Sequence, residues 1–125
     1  VIDRQNRLPK TLHVFDGTAP TLVFATQPMP ESDNISVHYL LPDAPVMQQV
    51  LAELYRRSVH SLFAEGGNKL LQHLLTTGYW DEAYVFENTS KQFGTGVSAP
   101  LMPGTERQQL TPPDFTAHLY YFRNL

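Results

Sequence analysis

Gly66 and Gly67 stand between two segments of different character, and that junction constrains the fold more than any other stretch of the chain. Before them, Ser61-Leu62-Phe63-Ala64 is a short run of small and apolar residues, the pattern of a strand in a covered parallel sheet. After them, Leu70, Leu71, Leu74 and Leu75 fall on one stripe of a helix predicted from Gly67 to Thr77, and Gly78 stands where a left-handed C-terminal residue belongs. A strand, two glycines and a helix start leave unpaired N–H groups at the positive end of the helix dipole. Such a junction can be a tight connection and nothing more. It can also receive a phosphate or pyrophosphate, because glycines without Cβ atoms let a ligand reach the main chain. Glu65 would repel phosphate there, so its carboxylate is expected to face a hydroxyl or amine of a different ligand group.

The flanking segments supply the class. Val1-Ile2-Asp3 reads as the tail of a strand, and the stretch from Arg4 to Gly17 as a loop with Pro9 and an Asp16-Gly17 turn. Thr21 to Ala25, an apolar run between Pro20 and Pro28, reads as a buried strand. Ile35 to Leu40 alternates, with Ile35, Val37 and Tyr39 on one face of a half-buried strand. A helix is expected from an Asp43 N-cap, with Pro45 in its first turn, to about Arg57, burying Val46, Met47, Val50, Leu51 and Leu54. Arg56 and Arg57 then complement the dipole at a solvated helix end. Asp81 to Phe86 is the next strand, residues 88–104 are irregular, and Phe115 to Phe122 alternates as a closing strand. Strand and helix in alternation predict a parallel α/β arrangement, and the last strand predicts antiparallel pairing at one edge.

Composition removes several function classes. With 125 residues the chain holds one core, and 42% apolar and 11% aromatic residues make it globular. No cysteine is present, so disulfides, thiolate metal sites and cysteine nucleophiles drop out, and a cytoplasmic setting fits. Net charge is −3 without a basic run, which gives no support to nucleic-acid binding. No apolar stretch reaches the length of a membrane span, and no signal-peptide pattern opens the chain. The chain opens on Val1 without an initiator methionine and is expected to be a piece of a longer protein.

Other constellations are weaker. His13, His38, His60, His73 and His118 form no helical metal pair, so no metal site is expected. His38 and His118 are placed at the surface or partly buried. No GxSxG elbow is present, and the Asn88-Thr89-Ser90 sequon is read as chance. Gly94-Thr95-Gly96 follows a strand but opens no helix, so it is a turn rather than a dinucleotide fingerprint. Arg4, just past a strand end, is suited to gripping a phosphate, although a loop arginine can equally lie in solvent.

Taken in order, the motifs resemble a known family. Ile2-Asp3-Arg4, Arg7-Leu8-Pro9, Ala19-Pro20-Thr21-Leu22-Val23-Phe24, Ser61 to Gly67, Trp80-Asp81-Glu82, Phe93-Gly94-Thr95-Gly96 and Ala99-Pro100 are similar to the reductase domain of the bifunctional riboflavin-biosynthesis deaminase/reductase. The resemblance implies a dihydrofolate-reductase-like three-layer α/β/α fold, with a mostly parallel mixed sheet and an antiparallel C-terminal edge. It implies NADPH as cofactor and the ribosylamino-pyrimidine phosphate of riboflavin synthesis as substrate, its ribose opened and reduced to the ribityl chain. On that match Gly66, Gly67 and Asn68 receive the pyrophosphate, Arg4 lies near the adenosine and 2′-phosphate, and Glu65 faces the substrate. Lys91 follows the strand that ends at Phe86-Glu87-Asn88, in a pattern that departs from the family's, and no role is assigned to it.

The resemblance also implies that the reductase domain begins upstream of Val1, so that residues 1–125 are its C-terminal part and lack both the deaminase domain and the first strands. Those strands would flank the one at Ser61 to Ala64, and without them the piece is expected to be marginal, to recruit a strand from a second copy, or to close the gap in a non-native register. A homodimer is one such outcome. Two other functions stay open at this level: a non-catalytic fragment or binding module on a reductase-like scaffold, and a pterin-type reductase on the same fold.

Overall fold

A computed structural model describes residues 1–104, 106–112, 114 and 116–124. The chain divides into two compact units, Val1–Leu62 and Phe63–Leu125.

In the first unit, β1 (Thr21–Ala25) and β2 (Ile35–Tyr39) pair in parallel, in register from Thr21 opposite Ile35 to Ala25 opposite Tyr39. The expected strand tail is present on the other side of β1. Ile2 bridges Phe24 in parallel, the Phe24 N–H donates to the Val1 carbonyl at 2.8 Å and the Asp3 N–H to the Phe24 carbonyl at 3.0 Å. With neighbours on both sides, β1 holds the unit's most buried residues, Val23, Phe24 and Ala25. Val23 and Ala25 pack with Met29, Phe15, Ile35 and Val37. Phe24, on the opposite face by the period of two, meets the His38 ring at 5.6 Å between centroids.

Helix α1 (Val46–Arg56) starts after Pro45, with no side-chain cap. Asp43 therefore does not cap it. Gln49 holds the turn instead, accepting from the Leu41 N–H at 2.7 Å and donating to the Leu41 and Ala44 carbonyls at 3.1 and 3.0 Å. Its amide satisfies main-chain donors and acceptors together, which a carboxylate could not do. The buried side is Met47, Val50 and Glu53, while Val46, Leu51 and Leu54 are half-buried. The helix ends in a Schellman motif, with Val59 N–H to the Leu54 carbonyl at 3.0 Å and Ser58 N–H to the Tyr55 carbonyl at 2.9 Å. This puts Ser58 at φ 59°, a conformation glycine takes without strain. Ser58→Gly is accordingly expected to stabilise the protein by a few tenths to about 1 kcal/mol, read as a higher denaturation midpoint in urea.

Residues 61–64 do not form the expected strand and pair with no strand among the described residues. Leu62 and Phe63 are exposed. A four-residue run is a strand only where a neighbour supplies ladder hydrogen bonds, and none does so here. The parallel and antiparallel strands accordingly lie in separate sheets, one in each unit.

In the second unit, α2 (Asn68–Thr77) closes on Gly78 at φ 74°, with the Tyr79 N–H donating to the Leu74 carbonyl at 3.1 Å. The antiparallel sheet expected near the C-terminus is present as β3 (Glu82–Asn88), β4 (Arg107–Gln109) and β5 (Ala117–Arg123), in the order β3-β5-β4. Phe115, expected to begin the last strand, lies outside the described residues. His118, Tyr120 and Phe122 on β5 are buried. His118 is thus further inside than expected, its Nδ1 3.2 Å from the Gln109 amide nitrogen on β4. The Arg107 guanidinium covers the Tyr120 ring at 3.5 Å, which closes that face with a cation–π contact. No helix among the described residues is long and apolar enough to cross a membrane.

Candidate functional site

The glycine pair opens α2 as the sequence suggests. Gly67 is the N-cap, at φ −73° and ψ 168°, and carries no side chain to cap the first turn. Its carbonyl accepts from the Leu70 and Leu71 N–H groups at 3.1 and 3.3 Å. The N–H groups of Asn68 and Lys69 have no partner among the described residues, so two donors remain free at the positive end of a ten-residue helix. The two glycines are there for different reasons. A Cβ on Gly66 would come within 2.8 Å of Leu70 Cδ2, so a larger residue there obliges the end of that side chain to shift. A Cβ on Gly67 would meet nothing within 4 Å, and its backbone angles suit any residue. Nothing inside the described chain requires glycine at position 67. Open space beside free N–H donors is what an incoming phosphate needs, so these residues fit a nucleotide pyrophosphate.

Asn68 has a second task. Its side-chain amide donates to the Ser98 carbonyl, and Gln72, one turn on, exchanges hydrogen bonds with the main chain of Leu101 at 2.8 and 3.3 Å. One side of α2 therefore fastens residues 98–101 to the helix start. Only the main chain of Asn68 is left to meet a phosphate. Gln72 escaped the sequence reading, since a glutamine on a helix flank gives no signal of what it will hold. Glu65, directly before the glycines, is exposed, with its carboxylate unpaired among the described residues. Gly94-Thr95-Gly96 is the expected turn, closed by the Thr95 N–H on the Phe93 carbonyl at 2.7 Å. At Lys91 the main-chain N–H caps onto Asn88 Oδ1 at 3.0 Å, and the residue is exposed.

Arg4 belongs to the first unit. It lines an open cleft of about 520 Å³ with Ile2, Asp3, Gln5, Arg7, Leu8 and Thr26. A buried carboxylate shapes this cleft. Asp3 accepts from the Arg7 N–H at 2.9 Å and the Leu8 N–H at 3.1 Å, one oxygen to each, and so folds residues 3–8 into a tight turn. Asn6 takes φ 51° within it. Thr26 pins the start of the turn, donating from its N–H and its hydroxyl to the Arg4 carbonyl at 2.9 and 2.6 Å. Asp3 is thus a structural residue that nothing in its sequence context singled out. Arg4 and the Glu65–Asn68 group lie in different units.

The most strongly perturbed carboxylate lies elsewhere. Glu53, with a side chain only 4% exposed, binds Arg56 through Nε and Nη2, both at 2.7 Å, and Arg57 through Nε at 2.6 Å. His38 Nδ1 stands 3.5 Å from its Oε2. Hydrogen bonds from Arg56 and Arg57 outweigh its burial and hold its pKa at about 2. Arg56 and Arg57 lie exposed at the helix end, as expected, and from there reach back to a buried carboxylate. The spacing Glu53, Arg56, Arg57 carried the i, i+3 and i, i+4 signal, but only the strand beneath makes it buried.

The family described as the RibD C-terminal domain matches residues 1–116. The chain belongs to that family. Riboflavin biosynthesis protein RibD of Chlamydia pneumoniae is 26% identical over 119 residues, which cover 88% of this chain and 29% of that protein. A crystal structure of a pyrimidine reductase-like protein from Corynebacterium diphtheriae shares the fold, with a TM-score of 0.66 and 12% identity over 99% of this chain and 59% of that one. The chain therefore spans less than a third of the curated relative and about three-fifths of the solved structure. Membership of the RibD C-terminal domain family agrees with the mixed α/β architecture.

Proposed function

We propose that this RibD C-terminal domain reduces the ribosylamino-pyrimidine phosphate of riboflavin synthesis with NADPH, in the cytoplasm and as the C-terminal part of a reductase domain in a longer, bifunctional deaminase/reductase polypeptide. The observation that carries the reading is the start of α2, where two free N–H groups adjoin a glycine that nothing in the described chain requires. When bound, NADPH supplies the hydride that turns the opened ribose into the ribityl chain. The protein's part is to bind and orient. Gly67 and the main chain of Asn68 and Lys69 hold the pyrophosphate, and Arg4 meets the 2′-phosphate that separates NADPH from NADH. Glu65, directly before the glycines and unpaired among the described residues, accepts hydrogen bonds from substrate hydroxyl or amino groups. A carboxylate and a phosphate site can be this close in sequence only if they serve different parts of the ligand set.

The test is NADPH oxidation by the intact protein, dependent on the pyrimidine substrate, with the ribityl product identified by mass. Glu65→Gln preserves shape and removes charge. Because hydrogen bonds to charged groups contribute about 1.5–3 kcal/mol, kcat/KM should fall about tenfold or more, while the Kd for NADPH stays as it was. Loss of cofactor affinity alongside kcat/KM would place Glu65 on the cofactor and overturn its role. NADPH-dependent reduction of a pterin in place of the pyrimidine substrate would favour the pterin-type reading, and no turnover of either would favour a binding module.

A further inference from the structure

The first unit contains four arginines, and they divide into two pairs. Arg56 and Arg57 are bound to Glu53. Arg4 and Arg7 both line the cleft beyond the strand tail, and neither guanidinium has a partner among the described residues. The other polar groups there are already engaged. Asp3 has one oxygen on each of two N–H groups, and the Thr26 hydroxyl donates to the Arg4 carbonyl. Lys10, nearby in sequence, has its ammonium on the Asn6 side chain and over the Phe15 ring at 4.3 Å. What the cleft offers a ligand is two free guanidiniums and the Gln5 amide, on a turn fixed from both ends.

We propose that Arg7 is the second half of a two-guanidinium site for a phosphomonoester dianion, with Arg4 as the first. The inference rests on the reading of Arg4 as phosphate-facing and adds the residue that would complete the charge. A phosphomonoester carries nearly two negative charges and three acceptor oxygens, more than one guanidinium fork can meet. Arginines at both ends of one turn can approach it from two directions. Asp3 is the positioning residue. It binds the main-chain N–H of Arg7, so the turn survives loss of the Arg7 side chain. Two sources carry this chemistry, the 2′-phosphate of NADPH and the phosphate of the ribose substrate.

The experiment measures binding to the intact protein of NADPH against NADH, and of ribose 5-phosphate against ribose. Arg7→Ala is expected to lower affinity for one phosphate-bearing member about tenfold, about 1.4 kcal/mol, and to leave its phosphate-free counterpart and the thermal midpoint unchanged. Arg4→Ala should do the same to the same ligand, and Arg7→Lys should restore part of the loss. Loss on NADPH assigns the pair to the cofactor, and loss on ribose 5-phosphate to the substrate; either supports the proposal. If Arg4→Ala weakens NADPH and Arg7→Ala does not, the pair is wrong while Arg4's role survives. Loss confined to Arg7→Ala overturns both, as does a wild type that discriminates in neither comparison.

Discussion

Replacing Gly67 with threonine is expected to leave the protein folded and to weaken NADPH binding at least about tenfold, or about 1.4 kcal/mol. The two halves of that expectation come from different features of the same residue. Gly67 has ordinary backbone angles, and a Cβ there would meet nothing within 4 Å. Threonine is also about as good an N-cap as glycine, so the start of α2 should be unharmed. Its two γ atoms would, however, occupy the space through which a pyrophosphate reaches the Asn68 and Lys69 N–H groups. Cofactor fluorescence titrated against both proteins gives the affinity, and thermal unfolding gives the control. Equal affinity would show that the ligand does not approach over this glycine. Gly66 is a less clean position for such a test, because a Cβ there would oblige the Leu70 side chain, 2.8 Å away, to shift as well.

The largest effect on stability should come from Glu53. Glu53→Ala is expected to lower the unfolding midpoint by several degrees, and by more than Arg56→Ala or Arg57→Ala. Removing either arginine leaves the carboxylate one guanidinium, whereas Glu53→Ala removes all of these contacts at once and empties a buried position. The pH dependence gives an independent readout. The folded protein holds the Glu53 pKa at about 2, below an ordinary value of 4.5, mainly through Arg56 and then Arg57. A depressed carboxylate pKa means that the unfolded chain takes up the proton first. Its stabilising contribution is therefore complete above about pH 4.5 and fades as pH falls through about 2. In urea titrations the gap between wild type and Glu53→Gln should narrow over that window. A gap that stays constant down to about pH 2 would mean that the cluster does not hold the carboxylate ionised.

Local features were legible in the chain because their causes are local. Gly78 terminates α2 in the left-handed conformation that glycine alone takes freely, and the leucine stripe before it gave the helix. The alternation of Ile35 and Val37 set the buried face of β2, and Pro20 and Pro28 bracket β1 on both sides. Val1-Ile2-Asp3 read as a strand tail because its apolar start meets a polar turn, and it pairs with β1. The motif order pointed to the family that residues 1–116 match. Of the candidate site, the glycine pair and the exposed Glu65 were visible, since they needed only a helix start.

Tertiary structure decided the rest. Residues 61–64 have the composition of a strand, but strand formation needs a neighbour's N–H and C=O groups, and none among the described residues pairs with them. Nothing in the sequence distinguished Glu53 from a solvated glutamate until β2 brought His38, whose ring meets Phe24 of β1, to its carboxylate. Gln49 displaced Asp43 at the start of α1 because the turn at Leu41 offers a donor and an acceptor together. His118 became a buried residue when β4 placed Gln109 against it, a contact between segments nine residues apart. Charge, period and glycine content set what each segment could do alone, whereas burial and hydrogen-bond partners depend on which distant segment arrives, and that is settled only when the chain is packed.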